Sequence, residues 1–162
     1  MNIQGISLSS QNIVENNLIT DLTVVLRKKF SQSLLAIVLF GSIIKGNFTK
    51  TSDIDVIVVC ENLIEDWRAR DKMIFALTED IELKYSTPIH MNLVSKDEIS
   101  HAIESANPLM LEIYDANRII YDKGNFFSIL IKNFKFNLHK WHATKVEKGF
   151  WKIPGLAVIE SD

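Results

Sequence analysis

The sequence predicts an α/β (α+β) fold in which a mixed β-sheet flanked by helices is followed by a short C-terminal α/β extension. Short apolar runs rich in β-branched residues alternate with longer segments of helical periodicity, which is typical of this fold class. Of the 162 residues, 47% are apolar, which is enough to bury one core of ordinary size. We therefore expect a core domain over residues 1–105 and an extension, residues 106–162, that packs on it.

One helix and two strands are expected in the first part of the chain. A helix that is capped at Ser9 or Ser10 should run to about Phe30, because apolar residues return at helical spacing along it: Val14, Leu18, Leu22, Val25 and Leu26. The unbroken apolar run Leu34–Phe40 predicts a buried strand. A second strand, over residues 53–59, follows a polar loop and begins directly on two acids.

Two helices and a third strand are expected in the middle of the chain. A charged surface helix is expected between Asn62 and Lys84, with an inward apolar stripe: Leu63, Trp67, Ile74, Leu77 and Ile81. Apolar and polar residues alternate over Pro88–Val94, which predicts a strand whose polar side chains share one face. Ser95 and Glu98 have capping-box spacing and should start a short helix that ends near Ser105.

The extension is expected to contain two further helices and a strand. The first helix should cover Pro108–Tyr114, the strand Arg118–Tyr121, and the second helix about Asn125 to Trp141. Two short extended pieces around Lys145 and Phe150 should complete the fold.

Charge and cysteine content narrow the classes of function. The chain has 18 basic and 20 acidic residues and a pI near 6.1, which argues against a histone-like cationic nucleic-acid binder. The single cysteine, Cys60, excludes an internal disulfide framework and fits a reducing compartment. The apolar runs are far shorter than the roughly 20 residues that cross a bilayer. We therefore expect a cytoplasmic protein with no membrane segment.

The most informative segment joins the first two strands. Gly41 and Ser42 end the first strand, and after a ten-residue loop Asp53 and Asp55 begin the second. Glycine lets the backbone approach a phosphate closely, and serine adds a hydroxyl donor. The period of two in a strand puts both carboxylates on one face, while Ile54 between them points into the core. Both acids can therefore hold the same Mg²⁺ or Mn²⁺ ion, and the ion can bridge to the phosphates of a nucleotide.

These residues resemble a known family, the nucleotidyltransferase superfamily of the DNA polymerase β type, and especially its small members in archaea and bacteria. The resemblance is carried by three pieces of sequence: Leu39-Phe-Gly-Ser42, Gly46 and Ser52-Asp-Ile-Asp-Val-Ile-Val58. Four later pieces are similar to the C-terminal extension of archaeal members: Leu111-Glu-Ile113, Arg118-Ile-Ile-Tyr-Asp122, Gly124 to Phe127, and Trp151-Lys152.

The resemblance implies a nucleotidyltransferase fold and a two-metal reaction. A nucleoside monophosphate would pass from an NTP, with ATP the expected donor, to a hydroxyl of an unknown acceptor: a protein, an RNA or a small molecule. On the family pattern, Gly41 and Ser42 fall on the triphosphate-binding turn, and Asp53 and Asp55 fall on the catalytic acids that bind Mg²⁺ or Mn²⁺. A protein partner or a second copy of the chain could present the acceptor.

One part of the family pattern is missing. Active members carry a third carboxylate on the next strand, but the polar face of that strand here offers only His90 and Asn92. Imidazole can accept a proton or bind a transition metal, but it is a poor ligand for Mg²⁺. Three interpretations remain open. His90 takes the catalytic place, an acid from elsewhere folds in (Glu82, Glu112 or Asp115), or the protein is a catalytically weak, antitoxin-like nucleotide-binding regulator that acts through a protein partner.

The late helix lies in a strongly basic stretch. Residues 123–152 contain seven lysines against Glu147 alone. The basic face of the helix is either only solvated or a docking surface for an anionic acceptor such as RNA or an acidic protein. In the loop between the first two strands, Lys45 and Lys50 are candidates for phosphate contact, or are likewise only solvated.

Overall fold

A computed structural model describes residues 3–49 and 51–156, without the side chains of residues 3–9, 11 and 148. This part of the chain forms a four-stranded sheet with helices on both faces and a separate two-stranded hairpin. The helices are α1 (Ile3–Phe30), α2 (Ser42–Lys45), α3 (Trp67–Tyr85), α4 (Lys96–Glu104), α5 (Pro108–Asp115) and α6 (Phe126–Lys140). The strands are β1 (Leu34–Phe40), β2 (Ile54–Cys60), β3 (Ile89–Ser95), β4 (Asn117–Asp122), β5 (Thr144–Lys145) and β6 (Trp151–Lys152). None of the described helices is long and apolar enough to cross a membrane.

The four-stranded sheet is mixed, in the order β3-β2-β1-β4. β1 is antiparallel to both of its neighbours, whereas β2 and β3 are parallel. A parallel pair needs a long crossover connection, and α3 supplies it. The predicted fold class, a mixed sheet flanked by helices, is therefore confirmed.

Two apolar cores lie on opposite faces of the sheet. α1 and α3 cover one face, called here the α1 face, and α4, α5 and α6 cover the other, called the α6 face. All seven residues of β1 are buried because helices cover both sides of it, which explains its unbroken apolar sequence. In β2, Ile54, Val56 and Val58 point to the α1 face, and Ile57 and Val59 to the α6 face.

Several boundaries agree with the sequence prediction. β1 has the predicted bounds, and α5, β4 and α6 lie within one residue of theirs. Ser95 caps α4 through a complete capping box: its hydroxyl accepts from the Glu98 amide at 3.2 Å, and the Glu98 carboxylate accepts from the Ser95 amide at 2.8 Å. The two short extended pieces form the β5–β6 hairpin. Local sequence signals were sufficient for these elements.

Two elements start at other residues than predicted. α1 begins at Ile3, so Ser9 and Ser10 lie inside the helix and not at its N-cap. β2 begins at Ile54, which leaves Asp53 in the preceding loop.

The start of α3 also differs from the prediction, with a clear physical cause. The Asp66 carboxylate accepts a hydrogen bond from the amide of Arg68 at 2.9 Å and caps the helix there. Trp67 is therefore in the first turn and 66% exposed. Its predicted place in the inward stripe is wrong, whereas Leu77 and Ile81 are buried as predicted.

The C-terminal part of the chain contributes to the main sheet. β4 lies after residue 105 and pairs with β1 along its length. α6 packs on the same face as α4, which lies before residue 105. The division into a core, residues 1–105, and an extension, residues 106–162, stays a prediction.

Arg70 connects α3 to the β3–α4 junction. Its guanidinium donates to both carboxylate oxygens of Glu98, at 3.0 and 2.8 Å, and to the carbonyl of Leu93 at 3.3 Å. Partial burial raises the pKa of the Glu98 carboxyl, but the Arg70 guanidinium and the Ser95 amide outweigh that effect. The pKa of Glu98 is therefore lowered from its ordinary value of 4.5.

We expect Glu98→Gln to destabilise the fold at neutral pH by about 1 kcal/mol or less, because the carboxylate is 45% exposed and screened by water. Since the folded-state pKa lies below the unfolded value, the charge stabilises the fold above pH 4.5, and this contribution is lost as pH falls through the folded-state pKa. Thermal unfolding of variant and parent should therefore differ most near neutral pH and converge in acid. The control is Glu104→Gln on the same helix, where Glu104 is 72% exposed and little change is expected. A pH-independent difference for Glu98→Gln would contradict this account.

Candidate active site at one end of the sheet

Three neighbouring strands bring Gly41, Asp55 and His90 to one end of the sheet. In the strand register, Asp55 lies opposite Phe40 of β1 on one side and opposite His90 of β3 on the other. Gly41 follows Phe40 directly and leads into α2. Asp55 and His90 alternate with residues of the α1-face core, so both side chains belong to the α6 face.

Gly41 packs against the carboxylate of Asp55. Its backbone angles, φ 75° and ψ −149°, lie in a region that glycine alone adopts readily. A Cβ at this position would overlap Oδ2 of Asp55 and lie 3.2 Å from its Cγ. Glycine is therefore required at position 41 for two reasons: the backbone conformation and the close approach of the Asp55 carboxylate.

A hydrogen bond joins Asp55 to His90. Nδ1 of His90 lies 3.1 Å from Oδ1 of Asp55. Since the carboxylate accepts, the Nδ1–H group donates, and the neutral ring then carries its lone pair on Nε2. The His90 side chain is 64% exposed, against 24% for Asp55. Asp55 therefore orients an imidazole that is open to solvent.

Ser42 and Asp53 lie beside this group. Ser42 is the partly buried first residue of α2, and the first amides of a helix have no acceptor within the helix. Asp53 is exposed and lies one residue before β2, with one buried residue between it and Asp55. All five site residues predicted from the sequence thus lie at or next to the same end of the sheet.

Hydroxyl groups organise the loop that leads to Asp53. The Ser52 hydroxyl accepts from the amide of Thr49 at 3.0 Å, and the hydroxyls of Thr49 and Thr51 lie 3.1 Å apart. The sequence prediction placed these residues in the loop but gave their hydroxyls no role, although Thr and Ser at this spacing are typical of hydroxyl-stabilised turns. Of the two loop lysines, Lys45 is exposed, and Lys50 lies outside the described residues.

Two of the three acids considered as replacements for the third carboxylate are engaged elsewhere. Glu82 belongs to α3, on the α1 face, and its carboxylate accepts from the first amide of β3 at 2.7 Å. Asp115 pairs with the lysine of β5 at 2.6 Å. Glu112 is exposed on α5. Within the described part of the chain, the imidazole of His90 is the titratable side chain that contacts Asp55.

The donor set suits a divalent cation that arrives with a nucleotide. Within residues 3–49 and 51–156, no group of three or more His, Cys, Asp and Glu side chains is arranged to hold a metal ion. Mg²⁺ in phosphate-transfer sites is commonly held by one or two carboxylates together with the phosphates of the substrate. Asp53 and Asp55 are two such carboxylates, and Oδ2 of Asp55 lies beside the Gly41 turn.

The sequence identifies the class of protein to which this site belongs. The family described as Polymerase beta, Nucleotidyltransferase matches residues 21–125, more than half of the chain, and this stretch contains the whole candidate site. The chain belongs to this family of nucleotidyltransferases.

A curated relative is similar over nearly its whole length. It comes from Methanocaldococcus jannaschii, carries the name "Putative protein adenylyltransferase MJ1305", and is 29% identical over 142 residues, which is 87% of this chain and 95% of that protein.

Two solved structures share the fold at 18% sequence identity. The first is a crystal structure of a toxin-antitoxin with AMP-PNP; its TM-score is 0.50, and the match covers 78% of this chain and 89% of that one. The second is the spectinomycin adenyltransferase AAD(9) from Enterococcus faecialis with ATP and spectinomycin, with a TM-score of 0.53. This second match covers 67% of this chain but 56% of that one, so the enzyme is considerably longer than the shared region.

The contact between Gly41 and Asp55 can be tested with alanine substitutions. Gly41 and Gly46 have similar φ angles, 75° and 77°, but a Cβ on Gly46 meets nothing within 4 Å. Gly46→Ala should cost about 1–2 kcal/mol, the strain of a left-handed residue. Gly41→Ala should cost about 2–4 kcal/mol, because at ψ −149° its backbone is more strained for alanine than that of Gly46 at ψ 9°, and because overlap with Asp55 is added to that strain. Denaturant unfolding measures both losses, and Asp55→Ala should lower the cost of Gly41→Ala without changing that of Gly46→Ala. An unchanged cost of Gly41→Ala in the Asp55→Ala background would show that Asp55 does not press on Gly41.

Proposed function

We propose that this protein is a metal-dependent nucleotidyltransferase that moves AMP from ATP to a hydroxyl group of an acceptor. The observation that carries the proposal is the placement of the Asp55 carboxylate between the Gly41 turn and the His90 imidazole. Membership of the nucleotidyltransferase family supports the reaction class. The choice of ATP is supported by the M. jannaschii relative, which is named an adenylyltransferase.

In this proposal the nucleotide binds across the open end of the sheet that the Gly41 turn and the two acids form together. Gly41 lacks a side chain that would block the approach of a phosphate, and Ser42 offers a hydroxyl and a helix-start amide. Asp53 and Asp55 would hold Mg²⁺ or Mn²⁺ together with the triphosphate. When bound, the cation neutralises phosphate charge and stabilises the leaving pyrophosphate.

His90 is the proposed general base. The acceptor hydroxyl oxygen forms a bond to the α-phosphorus of ATP, the bond from that phosphorus to the β-phosphate bridging oxygen breaks, and pyrophosphate leaves. The hydroxyl proton passes to Nε2 of His90. Asp55 fixes the ring through Nδ1 and stabilises the imidazolium that forms, so one carboxylate both contributes to the cation site and positions the base.

A protein is the acceptor that the comparisons favour. The M. jannaschii relative, named a protein adenylyltransferase, spans nearly the same length as this chain. An RNA or a small molecule is a less favoured acceptor. The acceptor protein could be a separate partner or a second copy of this chain. We place the reaction in the cytoplasm, where a reducing environment suits the lone, buried Cys60.

A second candidate function is supported by the missing carboxylate. With Glu82 and Asp115 engaged elsewhere, a nucleotide could bind at Asp53 and Asp55 without efficient turnover. The protein would then be a nucleotide-binding regulator that acts through a protein partner. Binding and transfer must therefore be measured separately.

Nucleotide binding should depend on a divalent cation, since two carboxylates repel a free triphosphate. With MgATP at about 100 times its dissociation constant, the folded state should gain about 2.7 kcal/mol, seen as a rise of several degrees in Tm. ATP with a chelator should give no rise. Asp53→Asn combined with Asp55→Asn should abolish the shift, whereas Asp71→Asn combined with Asp80→Asn, two exposed acids of α3, should retain it. A shift that survives the first pair would place the nucleotide elsewhere.

Substitution of His90 distinguishes an active enzyme from a silent one. If His90 is the base, His90→Gln should lower AMP transfer by about 10²–10⁴-fold, measured as label from [α-³²P]ATP and as pyrophosphate release, with the MgATP shift in Tm retained. If the native protein is silent, His90→Asp should create Mg²⁺-dependent turnover, because it restores a carboxylate beside Asp55.

The matched control is His101→Asp on α4, where the histidine is 82% exposed and pairs with Glu104 at 3.6 Å. Unchanged transfer, metal preference and nucleotide affinity in both His90 variants would remove His90 from the site.

A further inference from the structure

A second concave surface lies on the α6 face, outside the nucleotide site. It is a cavity of about 440 Å³ between α6 and the β5–β6 hairpin, called here the basic groove. Its floor is apolar and aromatic, and its edge carries two lysines and an exposed phenylalanine: Tyr114, Leu138 and Trp151 on the floor, and Lys132, Lys135 and Phe136 at the edge.

The floor of the basic groove is a fixed aromatic cluster. Tyr114 makes edge-to-face contacts with Phe134 at 5.7 Å and with Trp151 at 6.1 Å between ring centroids. Phe134 is fully buried in the α6-face core and anchors the group. Phe136, by contrast, is 69% exposed. The groove is thus a preformed apolar depression with one large apolar side chain left uncovered at its edge.

The charge at this groove is uncompensated. Lys132 and Lys135 are exposed, and neither has an acidic partner among the described residues. Lys145 of the neighbouring hairpin is different, because it is paired with Asp115 at 2.6 Å. Residues 123–152 carry seven lysines and one glutamate, a charge of +6 within a chain of net charge −2, so the rest of the chain carries −8.

The basic groove lies on the same side of the sheet as the nucleotide site. Asp55, Phe40 and Asn117 are register partners across three adjacent strands. With strands about 4.8 Å apart, Asn117 is about 10 Å from Asp55 and about 14 Å from His90, which lies one strand further. Tyr114 of the groove floor comes three residues before Asn117, and it packs on the α6-face core, the face to which Asp55 and His90 belong.

We propose that the basic groove docks the acceptor protein, through a segment that combines acidic residues with an aromatic or large apolar side chain. The acids pair with Lys132 and Lys135, and the apolar side chain packs against Phe136 and the aromatic floor. A hydroxyl about five or more residues away along the segment then reaches Nε2 of His90, since three strand spacings of about 4.8 Å separate His90 from Asn117. The inference rests on the proposed transfer reaction and names the chemistry of its acceptor.

The distribution of charge favours a short peptide over RNA. A nucleic acid extends along the surface and needs many phosphate contacts, so the −8 carried outside residues 123–152 would repel most of it. A peptide segment needs the positive field at one place only. Burial of an apolar side chain against the apolar floor also stabilises the complex, as is typical of anchor residues in protein interfaces.

The test uses a fluorescein-labelled octapeptide in which Asp and Glu surround one Tyr and one Phe, with fluorescence anisotropy on the full chain. Three probes accompany it: the same peptide with Ala for both aromatic residues, the same peptide with Lys for all acids, and a twelve-nucleotide oligouridine RNA. Lys132→Glu combined with Lys135→Glu should weaken binding of the acidic aromatic peptide by at least about tenfold. Phe136→Ser should weaken it by at least about threefold, as should the loss of the peptide's aromatic residues.

Each variant has a control of matched chemistry on the α1 face or its helices. Lys28→Glu combined with Lys29→Glu changes the net charge by the same amount as the Lys132 and Lys135 pair, but at the exposed end of α1. Phe75→Ser removes a phenylalanine of similar exposure, 64%, from α3. Both controls should change peptide binding by less than about twofold, because α1 and α3 pack on the opposite face of the sheet from α6.

The outcomes separate this inference from the proposed function. Equal weakening by the two charge-reversal pairs, or no preference for acids over lysines in the peptide, would overturn the docking proposal. RNA binding that depends on Lys132 and Lys135, with no peptide binding, would overturn it in favour of RNA. If the peptide binds in the groove but AMP is not transferred to the Tyr of the peptide, the docking proposal is supported. The same result counts against the proposed transfer reaction. A MgATP shift in Tm that is intact in the groove variants shows that the nucleotide site is unaffected.

Discussion

The packing of the Asp55 carboxylate against Gly41 on one side and its hydrogen bond to His90 on the other form the interaction on which the rest of the site depends. One oxygen of the carboxylate faces the turn, and the other orients the imidazole. A larger residue at position 41 would displace the acid, and a displaced acid would release the ring. The proposed nucleotide and acceptor positions therefore depend on a single side chain with two neighbours.

The sheet can hold this polar group at its end because its centre is buried on both faces. β1 and most of β2 lie between two apolar cores, so the strand register is fixed by packing over their whole length. A shift of one residue would move Asp55 into the α1-face core and Ile54 onto the open face. The energetic cost of burying a carboxylate excludes that register, and the position of the site follows.

If His90 takes the place of a third carboxylate, as proposed, the electrostatics of the reaction change. Two acids repel a triphosphate less than three do, and a neutral imidazole adds a proton acceptor without adding negative charge. The same replacement leaves fewer oxygen ligands for Mg²⁺, so the nucleotide must supply more of them. Lys132 and Lys135 lie apart from this group, at the basic groove on α6, and both are exposed.

Much of this arrangement was determined by short stretches of sequence. The apolar run of β1, the capping box at Ser95 and the spacing of Gly41 from Asp55 are local patterns, and backbone geometry alone gives them structural meaning. Tertiary structure alone decided which side chain meets Asp55, because His90 is 35 residues away and reaches it through the parallel register of β2 and β3. It also placed Glu82 on the opposite face of the sheet. Periodicity assigns a side chain to a face of its own strand, but the neighbour across strands is set by the packing of the whole sheet.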